Sequence, residues 1–142
     1  MKVELVVNTD DYTPLGPMVP EVQKKGLQYT ANYLIERLQV NSPIDTGYLK
    51  GWHIHEHTDS MVDVRSPAKY AIYQDQGTGV YAGKGKITAK KPGGVLHWEK
   101  GGTHYFAKSV KGVRGKRFVE KSVSATKGRL DSFFIKAIQE AL

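Results

Sequence analysis

Cysteine is absent from all 142 residues. That excludes a disulfide scaffold, a thiol nucleophile and any zinc site built on thiolates, and it accords with synthesis in a reducing cytoplasm. Long apolar runs are missing as well. Stretches such as Leu5 to Val7 extend only a few residues, against about twenty for a bilayer crossing, so no membrane span is expected. Glu4 lies inside what would have to be the apolar region of an export signal, and no targeting peptide is read from the N-terminus. Acidic residues are scarce in one place above all. Between Gly83 and Arg117 a single acid, Glu99, stands against ten Lys and Arg, which makes this segment +9 and the rest of the chain −2.

What is present suits a globular protein. Hydrophobic residues make up 39% and charged residues 25%, enough to cover one sheet and its helices. The length fits one hydrophobic core, so residues 1–142 are expected to form a single domain. A localised positive surface attracts polyanions, whether nucleic acid, an acidic protein face or a membrane surface. The competing reading of the same charge is a solvated basic loop.

Apolar periodicity orders the chain into elements. Met1 to Val7 has the β-branched content of a strand. Leu27, Ala31, Leu34, Ile35 and Leu38 recur on one helical face. That helix opens at Pro20-Glu21 and ends by Asn41, because Ser42 precedes Pro43 and is pushed out of the helical region. Asp45-Thr46-Gly47 begins a short turn or helical segment in which Asp45 or Thr46 caps free amides. Trp52–Glu56 and Met61–Arg65 alternate about Thr58-Asp59-Ser60 as a hairpin. Ser66-Pro67 opens a short helix over Ala68–Gln76, closed by Gly77. From Gly77 to Arg117 lie ten of the fifteen glycines, and a long excursion with one or two short strands is expected. Helical spacing resumes from Val123 to Ala141, with Gly128 predicting a kink.

Several patterns invite a chemical reading. His53, His55 and His57 share one strand face and suggest a transition-metal site. Alternate side chains on a strand stand about 7 Å apart, however, too far to converge on one ion without a bend, and surface histidines are the simpler reading. His97-Trp98-Glu99 and His104 add potential bases with no partner at a spacing that names a reaction. Gly77-Thr78-Gly79 and Gly83-Lys84-Gly85-Lys86 hint at a phosphate loop, but no Gly-Lys-Ser/Thr end leads into a helix, so tight turns are expected. Tyr81, Trp98, Tyr105 and Phe106 interleave with the basic residues, as either a single-strand nucleic-acid surface or a protein interface would arrange them.

Taken in order, three blocks carry a resemblance. They are Ser42-Pro43-Ile44-Asp45-Thr46-Gly47-Tyr48-Leu49 after the first helix, Tyr70-Ala71-Ile72-Tyr73-Gln74-Asp75-Gln76-Gly77-Thr78, and Arg117-Phe118-Val119-Glu120-Lys121-Ser122-Val123. From about Leu27 to the C-terminus the chain resembles the small tail-completion, or head–tail joining, proteins of long-tailed bacteriophages. It departs from that pattern at Asp75-Gln76, where Glu and an aromatic are usual, and at Arg117, where Pro is usual before Phe118.

The resemblance implies an α+β fold, with a long N-terminal helix and a C-terminal helix packed on an antiparallel β-sheet. It also implies a non-enzymatic virion protein made in the bacterial host cytoplasm. Its partners would be other neck and tail proteins and copies of itself in a homo-oligomeric ring, expected as a hexamer. The free subunit would be a monomer, DNA would pass through the ring with transient contact, and no cofactor, metal or membrane is implied. Pro43, Asp45, Thr46, Gly47, Gly77, Thr78 and Phe118 then serve as structural motif residues. Tyr81, Lys84, Lys86, Trp98, Tyr105 and Phe106 are the expected protein-interface residues, on an excursion that touches ring neighbours in preference to gripping DNA. A nucleic-acid-binding module built on residues 83–117 and a metal-dependent enzyme built on the three histidines are the alternatives.

Overall fold

The computed structural model describes residues 1–6, 19–43 and 50–142. It is an α+β protein with antiparallel sheets. In chain order its elements are β1 (Lys2–Val6), α1 (Val19–Asn41), β2 (His53–His57), β3 (Met61–Arg65), α2 (Ala71–Gln76), β4 (Ile87–Thr88), β5 (Leu96–Lys100), β6 (Thr103–Ala107), β7 (Ser109–Val110), α3 (Phe118–Lys127) and α4 (Leu130–Ala141). They divide into two compact units, one of residues 1–71 and 118–142, the other of residues 72–117.

In the first unit β3 is the central strand, flanked antiparallel by β1 and β2. Register places Val3 opposite Val64, Leu5 opposite Val62 and Ile54 opposite Val64 on one face. The other face carries Glu4, Asp63 and Glu56 in one row and Lys2, Arg65 and His53 in the next. Period-two alternation thus yields one apolar and one charged face. The apolar face meets α1, whose Leu27, Ala31, Leu34 and Leu38 are buried with Trp52, Val62, Val64 and Phe118 in one core cluster. Burying such side chains stabilises by about 1.5–3 kcal/mol each.

α1 ends as its sequence requires. The Ser42 amide donates to the Leu38 carbonyl at 2.9 Å, Pro43 follows, and the Ser42 hydroxyl also donates to Leu38 O while accepting the Trp52 indole N–H at 3.3 Å. Ser42 therefore satisfies a helix-end carbonyl and a buried indole together.

Three details differ from the sequence reading. The C-terminal segment is two helices rather than one kinked helix, and both pack chiefly on α1 instead of on the sheet. Helix α3 starts at Phe118 because its ring belongs in the core, edge-on to Trp52 with centroids 6.4 Å apart. The second difference lies in 72–117, which holds four strands and a 3₁₀ turn at Gly79–Ala82 rather than one or two strands. Helix α2 also begins later, at Ala71; the Ser66 hydroxyl accepts the Ala68 amide at 3.2 Å and caps a turn ahead of it.

Candidate interaction site

The second unit is built without a large apolar core, since the buried hydrophobic cluster among the described residues draws nothing from 72–117. Backbone pairing holds it together. Gly77 bridges Arg114, the Thr78 amide donates to Val113 O at 2.9 Å and the Val80 amide to Lys111 O at 2.8 Å, and β4 pairs with β7. Gly77 has φ +85°, and a Cβ there would stand 2.6 Å from Val113 O. Both the left-handed backbone and the close approach require glycine. Thr78 Oγ1 accepts the Val113 amide at 2.9 Å, closing the same contact from the side-chain side.

Strands β5 and β6 form a hairpin joined by Gly101-Gly102, whose φ values of +60° and +80° are those of a type I′ turn. This is the element that the sequence reading did not resolve. Its signal was available: two glycines flanked by alternating aromatic and polar residues.

Register gives the hairpin two unlike faces. Leu96, Trp98 and Lys100 face Ala107, Tyr105 and Thr103, while His97 and Glu99 face Phe106 and His104. On the first face the Trp98 and Tyr105 rings stack with centroids 5.6 Å apart and planes 16° apart, and both remain exposed, at 41% and 43%. On the second, Phe106 stacks on His97 at 4.6 Å, and His97 Nε2 lies 2.8 Å from His104 Nδ1 in a hydrogen bond between imidazoles. Phe106 is 67% exposed. The one acid between Gly83 and Arg117, Glu99, thus sits on the Phe106 face, and the Trp98 face carries none.

The other expected interface residues lie elsewhere in this unit. Tyr81, in the 3₁₀ turn, is half-buried with the Arg114 guanidinium 4.9 Å above its ring. Lys84 and Lys86 are exposed on the stretch leading to β4. The structure therefore gathers Trp98, Tyr105 and Phe106 into one hairpin but divides them between its faces. Among the motif residues, Phe118 is in the core and Pro43 follows the end of α1, whereas Asp45, Thr46 and Gly47 lie outside the described residues. Arg117 has φ +54°. Proline, locked near −65°, could not adopt this conformation.

Neither catalytic pattern in the sequence assembles. A bulge between Ile54 and Glu56 puts His53 opposite Arg65 and His57 opposite Val62, on different faces of the sheet. His53 Nδ1 is 3.0 Å from Gly51 O and His57 Nε2 is 3.2 Å from Lys24 O. Among the described residues no group of three or more His, Asp or Glu is placed to hold a metal ion. Lys86 leads into the two-residue strand β4, so the glycine-lysine stretch has no helix N-terminus behind it to receive a phosphate.

No family model, curated protein or solved structure matches this chain. Two clusters of the first unit have displaced titrations. Hydrogen bonds from Arg65 hold the Asp63 carboxyl below the usual carboxylate range, against the opposing effect of burial. The hydroxyl of Tyr29 donates to Glu140, which raises the phenol and lowers the carboxyl. The first pairing lies within β3, and the second ties α1 to α4. Among the described residues no helix is long and apolar enough to cross a membrane.

Proposed function

We propose that the chain is a structural subunit of a bacteriophage neck, a tail-completion or head–tail joining protein that works through protein–protein contacts without catalysis. The observation that carries this reading is the hairpin of the second unit, which leaves Trp98, Tyr105 and Phe106 exposed, while the first unit holds the apolar core. Contiguous exposed apolar side chains mark interaction sites, and aromatic residues are enriched where partners dock. The ordered motif blocks around Pro43, Gly77-Thr78 and Phe118 support the same assignment. Tyr81, Lys84 and Lys86 extend the contact surface along the unit. Head-to-tail contacts between subunits close into a ring when the rotation permits, and a hexameric ring at the neck is the expected assembly in the virion.

The test is electron microscopy of lysates from the phage or prophage that encodes the gene, with the gene intact and disrupted. Filled heads and finished tails lying unjoined, or tails malformed at the head-proximal end, support the reading; intact infectious particles overturn it. Removing Lys84–Lys91 refines the test. The shortened subunit should keep the circular dichroism of a folded protein yet fail to restore joined particles. Collapse of the whole fold would refute the division between scaffold and contact arm.

A further inference from the structure

The two faces of the β5–β6 hairpin differ in a way that a protein contact alone does not require. We propose that the Trp98 face binds single-stranded nucleic acid, with bases stacked on Trp98 and Tyr105 and phosphates held by lysines at both ends of the hairpin. The inference goes beyond the neck assignment and stands or falls separately from it.

Charge selects the occupant. Residues 72–117 carry ten bases and two acids, Asp75 and Glu99, for +8, while the remainder of the chain is −1. A second copy of this unit is repelled by that field, and the rest of a second copy offers little opposing charge; a polyanion is attracted along the whole length. Geometry then selects the face. Leu96, Trp98, Lys100, Thr103, Tyr105 and Ala107 form an acid-free surface, and Glu99 is on the opposite side with His97, His104 and Phe106. Each of the stacked rings of Trp98 and Tyr105 has one side not covered by the other. A flat unpaired base fits such a side, whereas a base inside a duplex has its faces occupied.

The lysines are placed for a strand running along the hairpin. Lys100 stands at the tip beside the turn. At the base, Lys91 and Lys108 line a surface hollow of about 410 Å³ together with Thr88 and the Pro92-Gly93-Gly94 turn. The five-residue strands separate the two ends by roughly 17 Å. Along the hairpin axis the aromatic pair thus lies between lysines at the tip and at the base, with Lys100 on the Trp98 face itself, and charge spaced along the axis tracks a phosphodiester backbone while leaving stacking indifferent to sequence.

The experiment is fluorescence anisotropy of the intact chain with a labelled single strand of about twelve nucleotides, and with the corresponding duplex, over a range of salt. Binding of the single strand that weakens linearly in log salt is expected, with tryptophan quenching that is lost in Trp98→Ala, since Trp52 is buried and 4% exposed. Trp98→Ala should weaken single-strand binding roughly tenfold and leave duplex binding unchanged. Lys91→Gln and Lys108→Gln should each lower the salt slope for the single strand by about 0.7. Absence of binding at low salt overturns the proposal. So does an equal affinity of wild type and Trp98→Ala, or displacement of the strand by polyglutamate as readily as by unlabelled strand, which would assign the face to an acidic protein. All of these readouts are independent of whether particles assemble.

Discussion

At the scale of single residues, the Asp63–Arg65 pair shows how a charge survives in the middle of a sheet. Asp63 is almost completely buried on the charged face of β3, and Arg65 donates to it from Nε at 3.0 Å and from Nη2 at 2.9 Å. Bidentate pairing of this kind offsets the desolvation that otherwise drives a carboxyl to protonate. Because these hydrogen bonds depress the folded-state pKa of Asp63, its contribution to stability is fully present above the ordinary carboxylate range. It is lost as the pH falls through the depressed value. Asp63→Asn should therefore lower the melting temperature at neutral pH, and the gap to wild type should close in acid once Asp63 itself is protonated. Thermal melts of both proteins across the acid range check this; a gap that is constant with pH would mean that the ion pair is not its source.

At the scale of elements, the contact of α1 with α4 is set by one glycine. A Cβ on Gly26 would meet the Phe134 ring at 2.4 Å, so this helix–helix approach depends on a missing side chain. Beyond it, Tyr33 packs on Phe133 with centroids 5.3 Å apart, the Arg129 guanidinium lies 5.0 Å from the Tyr33 ring, and Lys136 Nζ is 4.4 Å from the Tyr29 ring. Gly26→Ala should destabilise by about 1–3 kcal/mol despite its better helix propensity, and adding Phe134→Leu should recover part of the loss. Urea unfolding of the single and double variants measures it. An Ala variant as stable as wild type would show that α4 can shift away freely. The apolar spacing of α1 was legible in the sequence. The need for Gly26 was not, because the reason for the glycine sits 108 residues further along the chain.

At the scale of the whole molecule, two units of unlike construction share one chain. Residues 1–71 and 118–142 have an apolar core, whereas 72–117 depend on short antiparallel pairings. Two-stranded pairings are marginal in water on their own. Amide hydrogen exchange should therefore be fast across β4–β7 and slow in the middle of α1 and in β3, with protection differing by more than tenfold. Uniform protection over both units would contradict that division. The same split separates roles in the proposed function, where one unit supplies the stable core and the basic unit supplies the contacts.

The ends of α1, the β2–β3 hairpin and the placement of positive charge were all determined locally. Apolar period, a Ser-Pro stop, turn residues and composition act over a few positions, and each is legible without knowing what lies across the core. The tertiary structure decided what local pattern does not contain. The β2 bulge sent His53 and His57 to different faces, and a positive φ at Arg117 excluded the proline usual in the resembled motif. The approach of Phe134 to Gly26 set α4 against α1. Strand register, finally, put Glu99 on one side of a hairpin and Trp98 with Tyr105 on the other, because shifting a pairing by one residue exchanges the faces of every side chain in it.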